Sequence, residues 1–427
     1  MFDKLRKRLW HLRHDNRATP EEAALPEPRE YSLALPDGYP ARRVSLKISL
    51  PPLPPRPLAR FTDHVVDPAT GKPGRTILAT VPGGFTISND LGETWRRVKV
   101  QGRGDQRFIH VRSLGEGEYL VQVQTEDDPE KTRPLDLLVV DEDGKIVVAH
   151  TARGPRWHGC RAVDQANGTL MYAEYPSGES KLENIGSRVW RSRDRGRNWE
   201  TVFERGPGQI RHFHFLQSRP HNAGEWWLSS GDQPQESRIW ISKDDGDSWN
   251  DATAHTGDIM AGGKRYPRSI FRLTDLAWEG DTVVWGTDDV LWTAQKALQG
   301  GHLFRSDGRQ MPLAPDDIGQ TRWHVRNLVD VGDFYVVLTQ GSNLARATEE
   351  EREPHALLMP KHAPAGGPPL VPLVDIDVHT DKAAAGAGFT FSKASRAAVD
   401  GTFFTFRAPF HLFPHGHQIL RWDIRFS

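Results

Sequence analysis

The stretch "QIRHFH" at 209–214 sets two imidazoles one residue apart, with an arginine in front of them. In an extended strand His212 and His214 point to one side and Phe213 to the other. Two histidines so placed can ligate a divalent metal, with Gln209 or His158 completing the set, or can move a proton or neutralise a carboxylate. The same region of other segments is also cationic: "RFIHVR" at 107–112, "RWHGCR" at 156–161, "RSIFR" at 268–272 and "RWHVR" at 322–326. Arg107, His110, Arg112, Arg156, His158, Arg161, Arg211, Arg268, Arg272, Arg322, His324 and Arg326 thus recur as if facing one place. Cations that are only packed together repel, and removing them from water is costly. A convergent set suits an anionic ligand such as a sugar carboxylate, sulfate or phosphate, which arginine grips with two parallel hydrogen bonds.

Acidic and phenolic groups stand in adjoining loops. Glu174 and Tyr175 end "MYAEY", Asp232 and Glu236 lie in "GDQPQES", and Asp288 and Asp289 in "WGTDD". Such groups could act as acid, base or nucleophile beside the cations, or could simply neutralise them. Glu174, Tyr175, His212, His214, Asp232 and Glu236 are the catalytic candidates. Arg107, Arg156, His158, Arg161, Arg211, Arg268, Arg272, Arg322 and His324 are the substrate-binding candidates. No cofactor is required by this reading, although a divalent metal on His212, His214, Gln209 and His158 would fit it.

These residues need a scaffold that brings many separate segments to one axis. From about residue 42 onward, short runs rich in β-branched and aromatic residues alternate with Gly/Asp/Asn turns, as in "RTILATV", "EYLVQVQT", "EWWLSSG" and "DFYVVLTQ". That pattern predicts an all-β protein of many short strands. A polar loop is repeated within it: "ISNDLGETW" at 87–95, "RSRDRGRNW" at 191–199 and "ISKDDGDSW" at 241–249. From Asp90 to Asp194 is 104 residues and from Asp194 to Asp244 is 50, so a worn copy is expected between the first two. "VVDEDGKIVV" at 139–148 sits there and keeps the Asp-x-Gly turn. A period near 50 is that of propeller blades.

Seven blades then fall near 58–101, 104–152, 155–204, 208–255, 266–313, 320–376 and 385–427, although six or eight would also accommodate the spacing. The last blade has about three strands of its own, and "RRVSLKISL" at 42–50 is expected to pair with it and close the ring, so that no sheet edge stays open there. The propeller therefore covers 42–427. Before it come a Pro/Glu/Ala-rich extended linker at 18–41 and a short basic amphipathic helix at 1–17, where Phe2, Leu5, Leu9 and Leu12 share a face opposite Lys4, Lys7, Arg8 and His11. That helix could touch a membrane surface or a partner, or pack on its own domain.

The three loops match Ser-x-Asp-x-Gly-x-(Thr/Ser/Asn)-Trp and resemble the Asp-box, or BNR, repeat of sialidase-like propellers. The resemblance implies that the loops are structural and lie on the face away from the binding funnel. It implies glycoside hydrolysis as the first activity to expect, with polysaccharide lyase chemistry on a uronate-containing glycan, or non-catalytic binding of a protein or glycan, as alternatives. The arginine motif that sialidases carry before their first repeat is missing; "LARFTD" at 58–63 does not match it, so sialidase activity itself does not carry over.

Composition narrows the partners. Lys+Arg 55 against Asp+Glu 56 leaves a net charge of −1, which excludes a globally basic nucleic-acid binder. One cysteine, Cys160, excludes an internal disulfide framework. With no signal peptide and no apolar run of about 18–20 residues, the expected location is cytoplasmic, and the expected ligand is an acidic poly- or oligosaccharide.

Overall fold

The structure is a computed structural model that describes residues 29–49, 60–66, 73–104, 106–124, 135–151, 163–175, 186–254, 259–261, 263–288, 301–321, 324–340, 355–362, 370–375, 395–407 and 418–427. Within them the short apolar runs form seven four-stranded antiparallel sheets, the blades of a β-propeller. Blade 1 runs over 60–99, blade 2 over 107–151, blade 3 over 163–205, blade 4 over 213–251, blade 5 over 273–321 and blade 6 over 324–375. The helix expected at 1–17 lies outside the described residues. Those residues include one short 3-10 turn, Arg268–Phe271, and no helix long and apolar enough to cross a membrane.

Blade 7 is built from both chain segments at once. Strands Thr402–Arg407 and Gln418–Phe426 pair with each other, Arg43–Ser49 pairs with Gln418–Phe426, and Arg29–Ala34 adds the outermost strand. The blade thus takes two strands from 402–426, where the sequence suggested three. The second N-terminal strand comes from the stretch read as linker.

Adjacent side chains in a strand face opposite ways, so each blade can bury one set of residues against each neighbour. Trp226 packs with residues of blade 3, whereas Trp227 packs with blade 5. The middle strands are therefore buried on both faces, as in Trp226–Ser230, and read as continuous apolar runs. The apolar clusters close a circuit: blades 1 and 2, blades 2 to 4, blades 4 and 5, blades 5 and 6, blades 6 and 7, and blades 7 and 1.

The first strand of each blade is innermost, and such strands of neighbouring blades touch one another around most of the ring. The face on which these strands begin is here termed the mouth. The repeated loops join third to fourth strands, which places them on the opposite face.

All three loops have the same hydrogen bonds. The amides of Gly92, Gly196 and Gly246 donate to Ser88, Ser192 and Ser242 Oγ at 2.8 Å each. Each serine hydroxyl donates in turn to the loop aspartate, at 2.7 Å in the first loop and 2.8 Å in the others. Each tryptophan indole N–H donates to its glycine carbonyl at 3.1 Å. Gly246 has φ +90°, the left-handed conformation that favours glycine, and a Cβ there would press on the flexible end of Met171 at 2.6 Å. The charge in these loops is turn chemistry. Asp90 sits at about 2, chiefly because the Thr94 hydroxyl and amide donate to its carboxylate.

Candidate functional site at the mouth

The inner strand of blade 4, Phe213–Ser218, begins just after Arg211 and His212, and a tight turn brings Asp232 back over them from the end of the second strand. Gly231, at φ +86°, makes that turn, since a Cβ there would collide with the Glu236 backbone at 2.3 Å. Asp232 becomes the hub of the cluster. Arg211 Nη1 donates to its Oδ2 at 3.0 Å, and Arg272 Nη2 lies 3.1 Å from its Oδ1. His214 Nε2 lies 3.2 Å from Oδ1 and His212 Nε2 lies 3.5 Å from Oδ2. Burial alone would raise this carboxyl, but the two imidazoles outweigh burial and hold it well below the ordinary carboxylate value.

A second carboxylate stands behind the first. Asp288, buried at the end of the second strand of blade 5, has Arg326 Nη1 at 2.8 Å and Arg272 Nη2 at 3.6 Å. His214 Nδ1 and His324 Nε2 lie at 3.8 and 3.9 Å. Burial again opposes ionisation, and Arg326 with Arg272 overcomes it, so this carboxyl also titrates low. Blades 4, 5 and 6 are thereby laced together by alternating charge: Arg211, Asp232, Arg272, Asp288, Arg326. Tyr175, at the end of the second strand of blade 3, stacks on His212 with ring centroids 3.9 Å apart, and meets His214 edge-on at 6.2 Å.

The other candidates have different surroundings. Glu174 is 3% exposed, and its two oxygens accept from Trp190 Nε1 at 2.9 Å and the Arg188 amide at 3.0 Å. Burial pushes its carboxyl up, against those hydrogen bonds. Glu236 Oε2 accepts from the Arg211 and Asp232 amides at 3.2 and 3.3 Å, which ties the turn. Arg268 Nη2 donates to Thr253 O at 2.5 Å, in the loop after blade 4. Arg107 is exposed and His110 is buried in blade 2. Gln209 is exposed and its Oε1 accepts from the Gly206 amide at 2.9 Å. It does not join the two histidines; the carboxylate of Asp232 does, and the donor atoms of His212, His214 and Asp232 all lie within 4.8 Å of one another. Arg156, His158, Arg161, Asp289 and Arg322 lie outside the described residues.

A further polar layer lies deeper along the inner strands. Arg112 Nη2 donates to Asp164 at 2.5 Å and Nη1 lies 3.8 Å from Asp63. The Ser218 amide and hydroxyl each donate to Asp164 at 2.8 Å, and Arg396 Nη1 does so at 3.2 Å. Asp275 accepts from the Leu328 amide at 3.1 Å and Asn327 Nδ2 at 3.4 Å. This layer joins blades 1, 2, 3, 4 and 7 in one set and blades 5 and 6 in another. Its sequence signal is an acid or amide within the first strand, as in "RFTDHVV", "VDQA", "LTDLAWE" and "HVRNLVD".

No protein-family model and no curated protein matches the sequence. Among solved structures the chain is similar to YCF48 bound to D1 peptide, with 14% identity over 88% of this chain and 96% of that one and a TM-score of 0.49. It is similar to YCF48 from Cyanidioschyzon merolae, with 12% identity over 88% and 98% and a TM-score of 0.49. An ancestral GH74 enzyme has 12% identity over 87% of this chain and 47% of that one, with a TM-score of 0.46.

Proposed function

We propose that this protein is a carbohydrate-active propeller that takes an acidic glycan at the mouth, over blades 3 to 6, and cleaves it by β-elimination next to a uronate carboxylate. The observation that carries this reading is the cluster in which Tyr175, His212 and His214 adjoin the guanidiniums of Arg211 and Arg272. Elimination needs a cation to neutralise the substrate carboxylate and a base for the acidified proton at C5. Arg211, with 42% of its side chain exposed, is placed to meet an incoming carboxylate. Tyr175 takes the C5 proton after its own phenolic proton has passed to His212, which gives it up to the hydroxide left when water protonates the departing oxygen. The C5–H pair forms the C4=C5 double bond, the C4–O bond breaks with its electrons on the departing sugar oxygen, and that oxygen takes a proton from water.

Hydrolysis, the first expectation from sequence, calls for two carboxyl groups facing the glycosidic bond. The contacts of Glu174, Glu236, Asp232 and Asp288 support structural duties instead: an indole and an amide, two turn amides, and two sets of cations. The identical hydrogen bonds of the three Ser-x-Asp-x-Gly loops support kinship with Asp-box propellers.

A second reading, binding of an anionic glycan or protein without turnover, is favoured by one feature. Arg211, Arg272 and Arg326 each already have a carboxylate partner, which suits a preformed docking surface. Incubation with polyuronates separates the readings. Elimination yields an unsaturated sugar that absorbs in the ultraviolet, hydrolysis yields new reducing ends without that absorbance, and binding alone yields neither. Ultraviolet-silent reducing ends would overturn the proposal in favour of hydrolysis.

A further inference from the structure

His214 Nε2 is buried and lies 3.2 Å from Asp232 Oδ1. His212 Nε2 lies 3.5 Å from the other oxygen of the same carboxylate. Nitrogen and oxygen ligands about 2.1 Å from a tetrahedral ion sit about 3.4 Å from each other. Each imidazole stands at about that distance from one oxygen of the Asp232 carboxylate, and one donor atom from each of the three residues lies within 4.8 Å of the others. Separations of this size are those at which two ligands of one ion stand to each other.

The surroundings fit as well. Histidine ligands are commonly oriented by a carboxylate on the other ring nitrogen, and Asp288 Oδ2 lies 3.8 Å from His214 Nδ1. The flat stack of Tyr175 restrains the second ring. The two guanidiniums on Asp232 have other places to go. Arg272 also reaches Asp288 at 3.6 Å and the Asp232 carbonyl at 3.3 Å, and the Arg211 side chain is 42% exposed.

We propose that His212, His214 and Asp232 form a binding site for one divalent transition-metal ion, with zinc the best fit to the donor set and spacing, and that Arg211 moves outward when the ion enters. The site stands on its own geometry and does not depend on which glycan the mouth takes. Of the ligands expected from sequence it keeps His212 and His214 and has Asp232 in place of Gln209, while His158 lies outside the described residues.

The full chain, stripped of metal with a chelator, is titrated with zinc alone by calorimetry and with cobalt alone by visible spectroscopy. One zinc site and an intense tetrahedral cobalt band are expected. H214A and D232N should lose the band and weaken zinc binding by more than 100-fold, with circular dichroism used to check their folding. If either variant fails to fold, D288N gives the same answer through the second carboxylate, with an expected loss of about 10- to 100-fold. R211A should bind zinc at least as tightly as the parent. A parent protein without the cobalt band, or a band that survives intact in folded H214A, overturns the site. Neither result bears on whether polyuronates are cleaved, so the two proposals fail separately.

Discussion

Tyr175 lies nearly flat on His212, with ring planes 29° apart and centroids 3.9 Å apart, although the two residues come from neighbouring blades. The stack fixes a phenol against an imidazole at the point where the inner strands begin. Removing only the hydroxyl keeps the stack and removes the proton acceptor. Y175F should therefore retain polyuronate binding within about twofold and lose elimination by at least 100-fold, roughly the contribution of a positioned acid or base. Calorimetric binding beside ultraviolet turnover assays checks this. Turnover at the parental rate in Y175F would remove the phenol from the mechanism.

Glu174 separates a structural from a catalytic duty. Its carboxylate accepts from an indole N–H on one oxygen and a backbone amide on the other. Glutamine offers one acceptor where two are needed and turns an NH2 toward a donor. E174Q should lose about 1–3 kcal/mol of stability, the usual cost of an unsatisfied buried polar group, while folded protein keeps its rate per molecule. Urea denaturation and assays at low temperature read the two effects separately. A fully stable E174Q without turnover would return this residue to the reacting groups.

The loop serines should behave as separate units only when their loops are separate. Each serine satisfies a glycine amide, and its removal should cost about 1 kcal/mol. S88A lies in blade 1 and should add to either of the others within about 0.5 kcal/mol. S192A and S242A lie in loops joined by Arg191 and Arg193, which both reach Asp247, at 2.6 and 3.4 Å. Their double variant should depart from additivity by more than that. Denaturation of the three single and three double variants tests the pattern.

Much of this scaffold was legible before any coordinates because its signals are local. A Ser-x-Asp-x-Gly-x-x-Trp loop contains its own hydrogen-bond partners, so Asp90, Asp194 and Asp244 mark third-to-fourth strand turns. The 42–50 stretch could be seen as a spare strand because the C-terminal blade was short of one. The surroundings of the mouth were harder to read, because they depend on which of several polar residues a turn carries inward. Gln209 is a near neighbour of His212 in sequence, yet the turn at Gly231 delivers Asp232 to the imidazoles instead. Glu174 adjoins Tyr175, but consecutive residues point opposite ways, so one meets Trp190 within its own blade and the other crosses to His212. Of the recurrent cations, Arg211, Arg272, His324 and Arg326 stand about Asp232 and Asp288, carboxylates from blades that no local pattern connects.

His64 makes stability depend on pH. It is buried, its Nε2 lies 2.6 Å from Gly74 O, and burial lowers its pKa to about 4 from an ordinary 6.5. Between these values the unfolded chain binds a proton that the folded chain refuses. Stability is thus complete above about pH 6.5 and falls as pH drops toward 4, by roughly 3 kcal/mol for this shift. H64Q should flatten that slope. Urea midpoints taken from pH 7.5 to 4.5 on both proteins provide the measurement, and parallel slopes would refute the assignment.

Blade 7 imposes an order of events on synthesis. Arg43–Ser49 leaves the ribosome early but finds its partner only when Gln418–Phe426 has been made. Until then one edge of that strand is unsatisfied, and the contacts that lock the circle span nearly the whole chain, a slow and aggregation-exposed way to finish. The nascent protein must hold an open arc of six sheets, and its final step is a clasp rather than a collapse.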